Sequence, residues 1–137
     1  MSPEKTKELF DKFPLLFAGR TKPMTETLMC LGFDCGDGWF DLINGLCEKI
    51  DAIFQKSGLP QDEYPKAVQV KEKFGGLRFY MEGMNNAIFD EVYKVTDEAE
   101  AASLKICEKC GKPAECRDDL SWISTLCDEH HNARTKK

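Results

Sequence analysis

Residues 67–81 read AVQVKEKFGGLRFYM, and this stretch decides what kind of fold the chain adopts. Apolar and polar residues alternate on both sides of Gly75-Gly76, which is the pattern of two strands that each bury one face. Because both glycines accept a positive φ, they predict a two-residue turn and hence a β-hairpin. Two strands alone are only marginally stable, so we expect the hairpin to pack against other elements.

A turn at Gly75-Gly76 sets Phe74 opposite Leu77 and Lys73 opposite Arg78. The apolar face then carries Val68, Val70, Phe74, Leu77, Phe79 and Met81, interrupted by Glu72. The opposite face carries the candidate ligand- or partner-binding residues Lys71, Lys73, Arg78 and Tyr80. Lys73 and Arg78 would repel each other unless an internal acid or an external anion relieved them. This face is therefore either an anion-binding platform or an ordinary solvated surface.

The helix before the hairpin is the best signalled in the chain. Residues 38–57 place apolar side chains at the 3.6-residue spacing of an amphipathic helix. Asp37 is the predicted N-cap, within an acidic glycine loop that lacks the ligand pattern of an EF-hand. Gly58 is suited to the left-handed position after the last turn, and Pro60 forbids continuation.

Two further helices complete the body of the molecule. Residues 86–104 repeat the amphipathic pattern, and residues 2–13 begin with Ser2 as N-cap and Pro3 in the first turn. We therefore expect an α+β fold, with amphipathic helices packed on a hairpin or small antiparallel sheet. The body would span residues 1–104, with the hairpin's apolar face on the second and third helices.

Four residues near the C-terminus have metal-ligand spacing: Cys107, Cys110, Cys127 and His130. Two pairs with two intervening residues each bind one ion from a tight turn, and three thiolates favour Zn²⁺. Such a set fills a tetrahedral site, so the ion would be structural and would leave no position for water. His131 could replace His130, and Cys116 is a fifth candidate. Residues 105–137 would form a treble-clef or zinc-ribbon finger packed on the body.

The remaining cysteines are Cys30, Cys35 and Cys47, none of which has a histidine nearby. We expect them to be small buried residues, with a second metal site or a redox pair as the alternative. Seven cysteines without a recognisable secretory signal favour reduced thiols and a cytoplasmic protein. No apolar run approaches the roughly 20 residues needed to cross a bilayer.

The charge and the histidine count restrict the function. Nineteen Lys and Arg against 24 Asp and Glu give a net charge of −5, which disfavours a protein that coats nucleic acid. The chain has two histidines, and metal binding takes one of them. No histidine outside the cysteine cluster could activate a serine or cysteine, so we expect a protein that is not an enzyme.

Three motifs together resemble a known group of proteins: residues 35–43 (CGDGWFDLI), residues 71–80 (KEKFGGLRFY) and the C-terminal Cys/His set. They resemble small uncharacterised proteins encoded by bacteriophages and prophages, over most of the chain from about Gly32. The finger alone is similar to that of DksA/TraR transcription factors, but their long acidic-tipped coiled coil is missing here. The resemblance carries no activity that transfers to these residues.

A phage origin implies a small accessory protein that binds a host component. The leading hypothesis is a non-enzymatic binding protein with one structural Zn²⁺, which recognises a host protein or a phosphate-bearing ligand to counter a host defence or retune a host process. One alternative is binding of nucleic acid or a transcription complex through the finger. Another is a nucleotide-binding protein or enzyme that uses the basic hairpin face.

Overall fold

The computed structural model describes residues 1–135, which form an α+β fold as the sequence predicts. The helices are α1 (Pro3–Lys12), α2 (Phe40–Ser57), α3 (Phe89–Ser103) and α4 (Asp128–Thr135). The strands are β1 (Phe33–Asp34), β2 (Lys66–Lys73), β3 (Gly76–Glu82), β4 (Glu115–Arg117) and β5 (Ser124–Leu126). None of these helices has the length and apolar character that a bilayer crossing requires.

The larger sheet has the strand order β1-β2-β3 and is mixed, where a small antiparallel sheet was predicted. The two-residue strand β1 pairs in parallel with β2, with Phe33 beside Val70. The alternation of a strand cannot be recognised over two residues, so β1 was not predictable from the sequence pattern. Because β1 ends at Asp34 beside Lys71, the last residues of β2 extend beyond it.

The hairpin turn lies one residue earlier than predicted. Its central residues are Phe74 and Gly75, with φ of 53° and 84°, and Gly76 already belongs to β3. Lys73 therefore lies opposite Gly76, and Lys71, not Lys73, lies opposite Arg78. The change displaces the pairing by two residues, so the side chains of residues 69–73 and 77–81 keep their predicted faces. The predicted apolar face is wrong for Phe74, which lies in the turn and is exposed. It is also wrong for Val68, because a bulge between Ala67 and Gln69 places Ala67 in the core instead.

The core lies between the sheet and the helices α2 and α3. Helix α2 buries Ile43, Leu46, Cys47, Ile50 and Phe54, and α3 buries Val92 and Ala99. Helix α1 covers the other end, where the rings of Phe10 and Phe17 lie 5.4 and 5.2 Å from that of Phe33 and 5.6 Å from each other. The segment between α1 and β1 donates its Leu28 amide to the carbonyl of Val68, at 2.9 Å.

The predicted helix ends are correct at α1 and at the end of α2, and wrong at the start of α2. Ser2 accepts a hydrogen bond from the Lys5 amide, and Gly58 adopts the left-handed conformation after Ser57. Asp37, however, does not cap α2, because its carboxylate accepts the Ser2 amide at 2.7 Å. A 3₁₀ turn over Asp37–Trp39 leads into the helix instead.

Candidate metal centre and the adjoining cleft

The first ligand pair lies on a tight knuckle between α3 and β4. Cys107 donates its amide to the Lys112 carbonyl at 2.8 Å and accepts the Gly111 amide at 2.9 Å. Gly111 has a φ of 80°, which a side chain would strain. The turn therefore depends on the glycine that follows Cys110. This turn directs the thiols of Cys107 and Cys110 to the same side.

The second ligand pair lies where β5 meets α4. β5 is fully buried, and Cys127 follows it directly at the start of α4. One helical turn separates Cys127 from His130, so their side chains lie on the same face. Knuckle, β4–β5 hairpin and terminal helix occur in the order of a treble-clef finger, as expected from the spacing.

The four side chains converge as one metal site requires. The ligand atoms of Cys107, Cys110, Cys127 and His130 all lie within 4.8 Å of one another. The Cys110 and Cys127 sulfurs are 3.7 Å apart, and His130 Nδ1 lies 3.6 Å from the Cys107 sulfur and 3.2 Å from that of Cys127. Tetrahedral zinc bond lengths imply edges of about 3.8 Å between sulfurs and about 3.6 Å between sulfur and nitrogen. The residues therefore fit a single tetrahedral metal ion.

The electrostatics at Cys107 also favour metal binding. Burial opposes ionisation of the Cys107 thiol, but hydrogen bonds from the backbone amides of Cys127 and Cys110 outweigh it and lower its pKa to about 6. This thiol is therefore largely a thiolate at neutral pH, which is the form that binds metals. Arg117 stabilises the surrounding turn, since it donates to the Leu126 carbonyl at 3.1 Å and to the Asp128 carboxylate at 2.6 Å.

The choice between the two histidines is decided by their positions. His130 belongs to the cluster, whereas His131 Nε2 lies 3.0 Å from the carboxylate of Asp119. Cys116 is exposed and lies outside the cluster, with its sulfur 4.0 Å from the Phe74 carbonyl. Neither of these alternative ligands is positioned to replace one of the four.

The other cysteines divide into two groups. Cys35 and Cys47 are buried as predicted, and burial raises the pKa of both thiols, that of Cys35 to about 12. The prediction is wrong for Cys30, which is exposed. Cys30 lies in an irregular segment where no periodicity indicates which side chains face inward.

The glycine loop before α2 rests directly on the metal-binding knuckle. Gly38 donates its amide to the Glu108 carbonyl at 2.7 Å, and the Gly36 amide donates to the Glu108 carboxylate at 2.9 Å. The Trp39 indole donates to the Ile106 carbonyl at 2.8 Å. The motif that the sequence indicated as a helix cap is thus the main contact between the body and the finger.

The hairpin turn makes the second contact with the finger. Thr125 on β5 donates its hydroxyl to the Gly75 carbonyl at 2.6 Å, and both residues are buried. A Cβ on Gly75 would lie 2.9 Å from the Cys116 sulfur and 3.1 Å from the Thr125 hydroxyl. The finger therefore holds the turn, which explains why Phe74 adopts the left-handed conformation that its side chain disfavours.

The four residues predicted for the basic face do not form one platform. Lys71, Arg78 and Tyr80 do share a face, but the Arg78 guanidinium is ion-paired with Glu100 on α3. Glu100 is thus the internal acid that relieves the repulsion between the hairpin's cations. Arg78 and Tyr80 line a groove of about 350 Å³ along α3, whereas Lys71 and Lys73 line a different cleft.

This second cleft, the body–finger cleft, has a volume of about 900 Å³ and lies where β2, the knuckle and the loop before β5 meet. Its basic and aromatic residues are Lys71, Lys73, Phe74, Lys109, Trp122 and Arg134. Trp122 is 70% exposed and Phe74 is 66% exposed. The sequence did not point to this cleft, because six separate parts of the chain line it and no spacing relates Trp122 or Arg134 to the hairpin.

Comparison of the chain with protein-family models, with curated proteins and with solved structures finds no match. The metal centre and the cleft therefore have to be interpreted from their own chemistry.

Proposed function

We propose that this protein is a non-enzymatic binding protein, in which a structural Zn²⁺ finger and the α+β body together form a cleft for an anionic group of its target. The observation that carries the proposal is the set of free cations in the body–finger cleft. Within residues 1–135, no carboxylate lies within ion-pair distance of Lys71, Lys73 or Lys109. A chain of net charge −5 thus leaves three ammonium groups without a carboxylate partner around one cavity, with that of Lys73 5.7 Å from the centre of the Phe74 ring.

The acids that line the same cleft offset part of this positive charge but form no ion pair with these lysines. The carboxylate of Glu72 accepts the Gly75 amide at 2.6 Å, and that of Glu108 accepts the Gly36 amide. Both carboxylates are therefore engaged in maintaining the walls of the cleft. Asp34 is the third acid that lines the cleft.

Zn²⁺ is the proposed metal because three thiolates and one imidazole are a soft, closed donor set. Its binding would stabilise the finger by about 10 kcal/mol or more, and the knuckle carries one wall of the cleft. Neither histidine lines the cleft, since one belongs to the cluster and the other contacts Asp119, which supports a role of the cleft in binding over histidine-based catalysis. The resemblance to phage and prophage proteins supports an accessory protein that occupies a host component in the host cytoplasm.

Metal analysis tests the first half of the proposal. Native mass spectrometry of untagged protein from a bacterial host should show one zinc per chain, and should retain it at neutral pH. A metal-free protein that is fully folded would contradict the structural role.

Binding of inorganic triphosphate, measured by calorimetry at low salt, tests the second half. The zinc-loaded K71E/K73E variant should lose at least tenfold in affinity, because two phosphate-facing charges are reversed. K49E/K56E is the matched control, since it reverses two exposed lysines on α2 outside the cleft. Absence of triphosphate binding by the wild type, or equal losses in the two variants, would refute the cleft as an anion site.

A further inference from the structure

We infer that the ligand of the body–finger cleft is a nucleoside phosphate, with its phosphates on the hairpin lysines and its base stacked on Trp122. This inference rests on the proposed function, because it names the ligand class of the same cleft. It follows from the cleft's volume, the geometry of its cations, and the two aromatic side chains beside them.

The dimensions of the cleft fit a small molecule. Its volume of about 900 Å³ lies within the roughly 300–1,000 Å³ typical of small-molecule sites. The net charge of −5 would repel the phosphates of a long strand, whereas a single nucleotide places its few charges next to Lys71 and Lys73. The monomeric ligand is therefore favoured over a nucleic-acid polymer.

The cations are arranged for phosphate oxygens. Lys71 and Lys73 belong to the end of β2, and Lys109 approaches from the knuckle, so charge converges from two sides. Arg134 adds a guanidinium, in which Nη1 donates to the Trp122 carbonyl at 2.9 Å while the buried Nε and Nη2 have no partner among residues 1–135. Because both of these donors are shielded from solvent, Arg134 contributes its positive charge to the cleft and not a direct hydrogen bond.

The aromatic side chains are what distinguish a nucleotide from a simple anion. Trp122 and Phe74 are the two most exposed large apolar side chains in the described chain, and both line this cleft. Their backbones are held in place, that of Trp122 by Arg134 and that of Phe74 by its turn's contact with Thr125. An exposed ring on a fixed backbone offers a base a stacking surface that needs little ordering on binding.

Asp34 provides a polar group that a nucleotide could use. Its side chain is exposed, lines the cleft, and makes no hydrogen bond to another residue within 1–135. A carboxylate accepts from a ribose hydroxyl or a base amino group.

The decisive experiment compares ATP, GTP, CTP and UTP with inorganic triphosphate on the zinc-loaded protein by calorimetry. At least one nucleotide should bind tenfold or more tightly than triphosphate, because stacking adds to the phosphate contacts. Substitution W122L should remove that difference, so that the best nucleotide and triphosphate bind with equal affinity when both are measured on the variant. F89L is the matched control, since Phe89 is an exposed aromatic residue on α3 outside this cleft.

The outcomes separate the two proposals. If triphosphate binds as tightly as every nucleotide, the cleft is an anion site and the nucleoside assignment is wrong. If neither nucleotides nor triphosphate bind, both proposals fail. If a single-stranded oligonucleotide binds more than tenfold tighter per site than the best nucleotide, the ligand is a polymer and the monomer assignment is overturned.

Discussion

Gly38 lies so close to Cys107 that a Cβ at this position would be 2.1 Å from the Cys107 carbonyl oxygen. The same Cβ would lie 2.6 Å from the Gly111 nitrogen and 2.7 Å from that of Cys110. All three atoms are backbone of the metal-binding knuckle and cannot rotate away. The glycine thus allows the body to lie directly against the finger, which joins the metal centre to the core through Trp39.

We expect G38A to destabilise the protein by at least about 2 kcal/mol, because an added methyl group must displace backbone. G45A is the control, since a Cβ there meets nothing within 4 Å and a helix-interior glycine is unfavourable. That variant should be stabilised by about 0.5–1 kcal/mol. Urea unfolding of the zinc-loaded variants measures both effects. A G38A variant as stable as the wild type would show that the loop does not pack on the knuckle.

Substitution of the two histidines should separate metal binding from surface packing. H130A should lose tight zinc binding, since one of four ligands is removed, and H130C should restore it as a Cys₄ site. H131A should retain one zinc per chain, because His131 contacts Asp119 and not the cluster. Competition with a chromogenic chelator measures each affinity. Zinc loss in H131A with retention in H130A would reverse the assignment.

Thiol reactivity should follow exposure and metal binding. In the zinc-loaded protein, Ellman's reagent should modify Cys30 and Cys116 rapidly, because both are exposed and outside the cluster. Cys35 and Cys47 should react only after unfolding, since burial raises their pKa and blocks access. Mass spectrometry of the labelled peptides identifies the sites. Rapid labelling of Cys47 in the folded protein would contradict the described core.

The raised pKa of Cys35 also predicts a pH dependence. Its pKa rises from 9.0 to about 12 on folding, so the unfolded state loses this proton first. The protonated thiol therefore contributes its full stability below about pH 9, and this is lost progressively between pH 9 and 12. The free energy of unfolding of C35A should fall less steeply than that of the wild type across this range. Equal slopes in urea unfolding would show that Cys35 is not protected by burial.

Local signals made part of this structure predictable. Ser2, Gly58 and Pro60 act on their immediate neighbours, and the two Cys/His pairs lie on tight turns whose geometry follows from spacing. The predictions of these features were correct because each feature depends on contacts between residues that are close in sequence. The position of His130 in the metal site was predictable for a similar reason. It lies three residues, or about one helical turn, after Cys127, so both side chains lie on the same face.

The remaining features depend on contacts between distant segments. The turn falls at Phe74-Gly75 because Thr125, fifty residues later, binds the Gly75 carbonyl. Gly36 and Gly38 indicated a loop in the sequence. Glycine is required at both positions because a Cβ would collide with the backbone of the knuckle, about seventy residues later in the chain. The cleft was missed for this reason. The sequence left open whether an internal acid or an external anion pairs with Arg78, because its partner Glu100 lies 22 residues later on α3.

The contact between Thr125 and Gly75 gives the sharpest test of how the finger holds the hairpin. T125V keeps the shape of the side chain and removes the hydroxyl that donates to the buried Gly75 carbonyl. An unsatisfied buried carbonyl costs about 1–3 kcal/mol, so we expect a loss of that size in unfolding free energy. T96V is the control, because the Thr96 hydroxyl donates to the Tyr93 carbonyl on the exposed side of the same helix. Loss of this hydrogen bond should change the free energy of unfolding by less than about 0.5 kcal/mol. Hydrogen exchange should also accelerate at the hairpin turn in T125V, while α2 stays protected. If T125V and T96V are equally stable and the turn exchanges at its wild-type rate, Thr125 does not hold the hairpin and the left-handed conformation of Phe74 needs another cause.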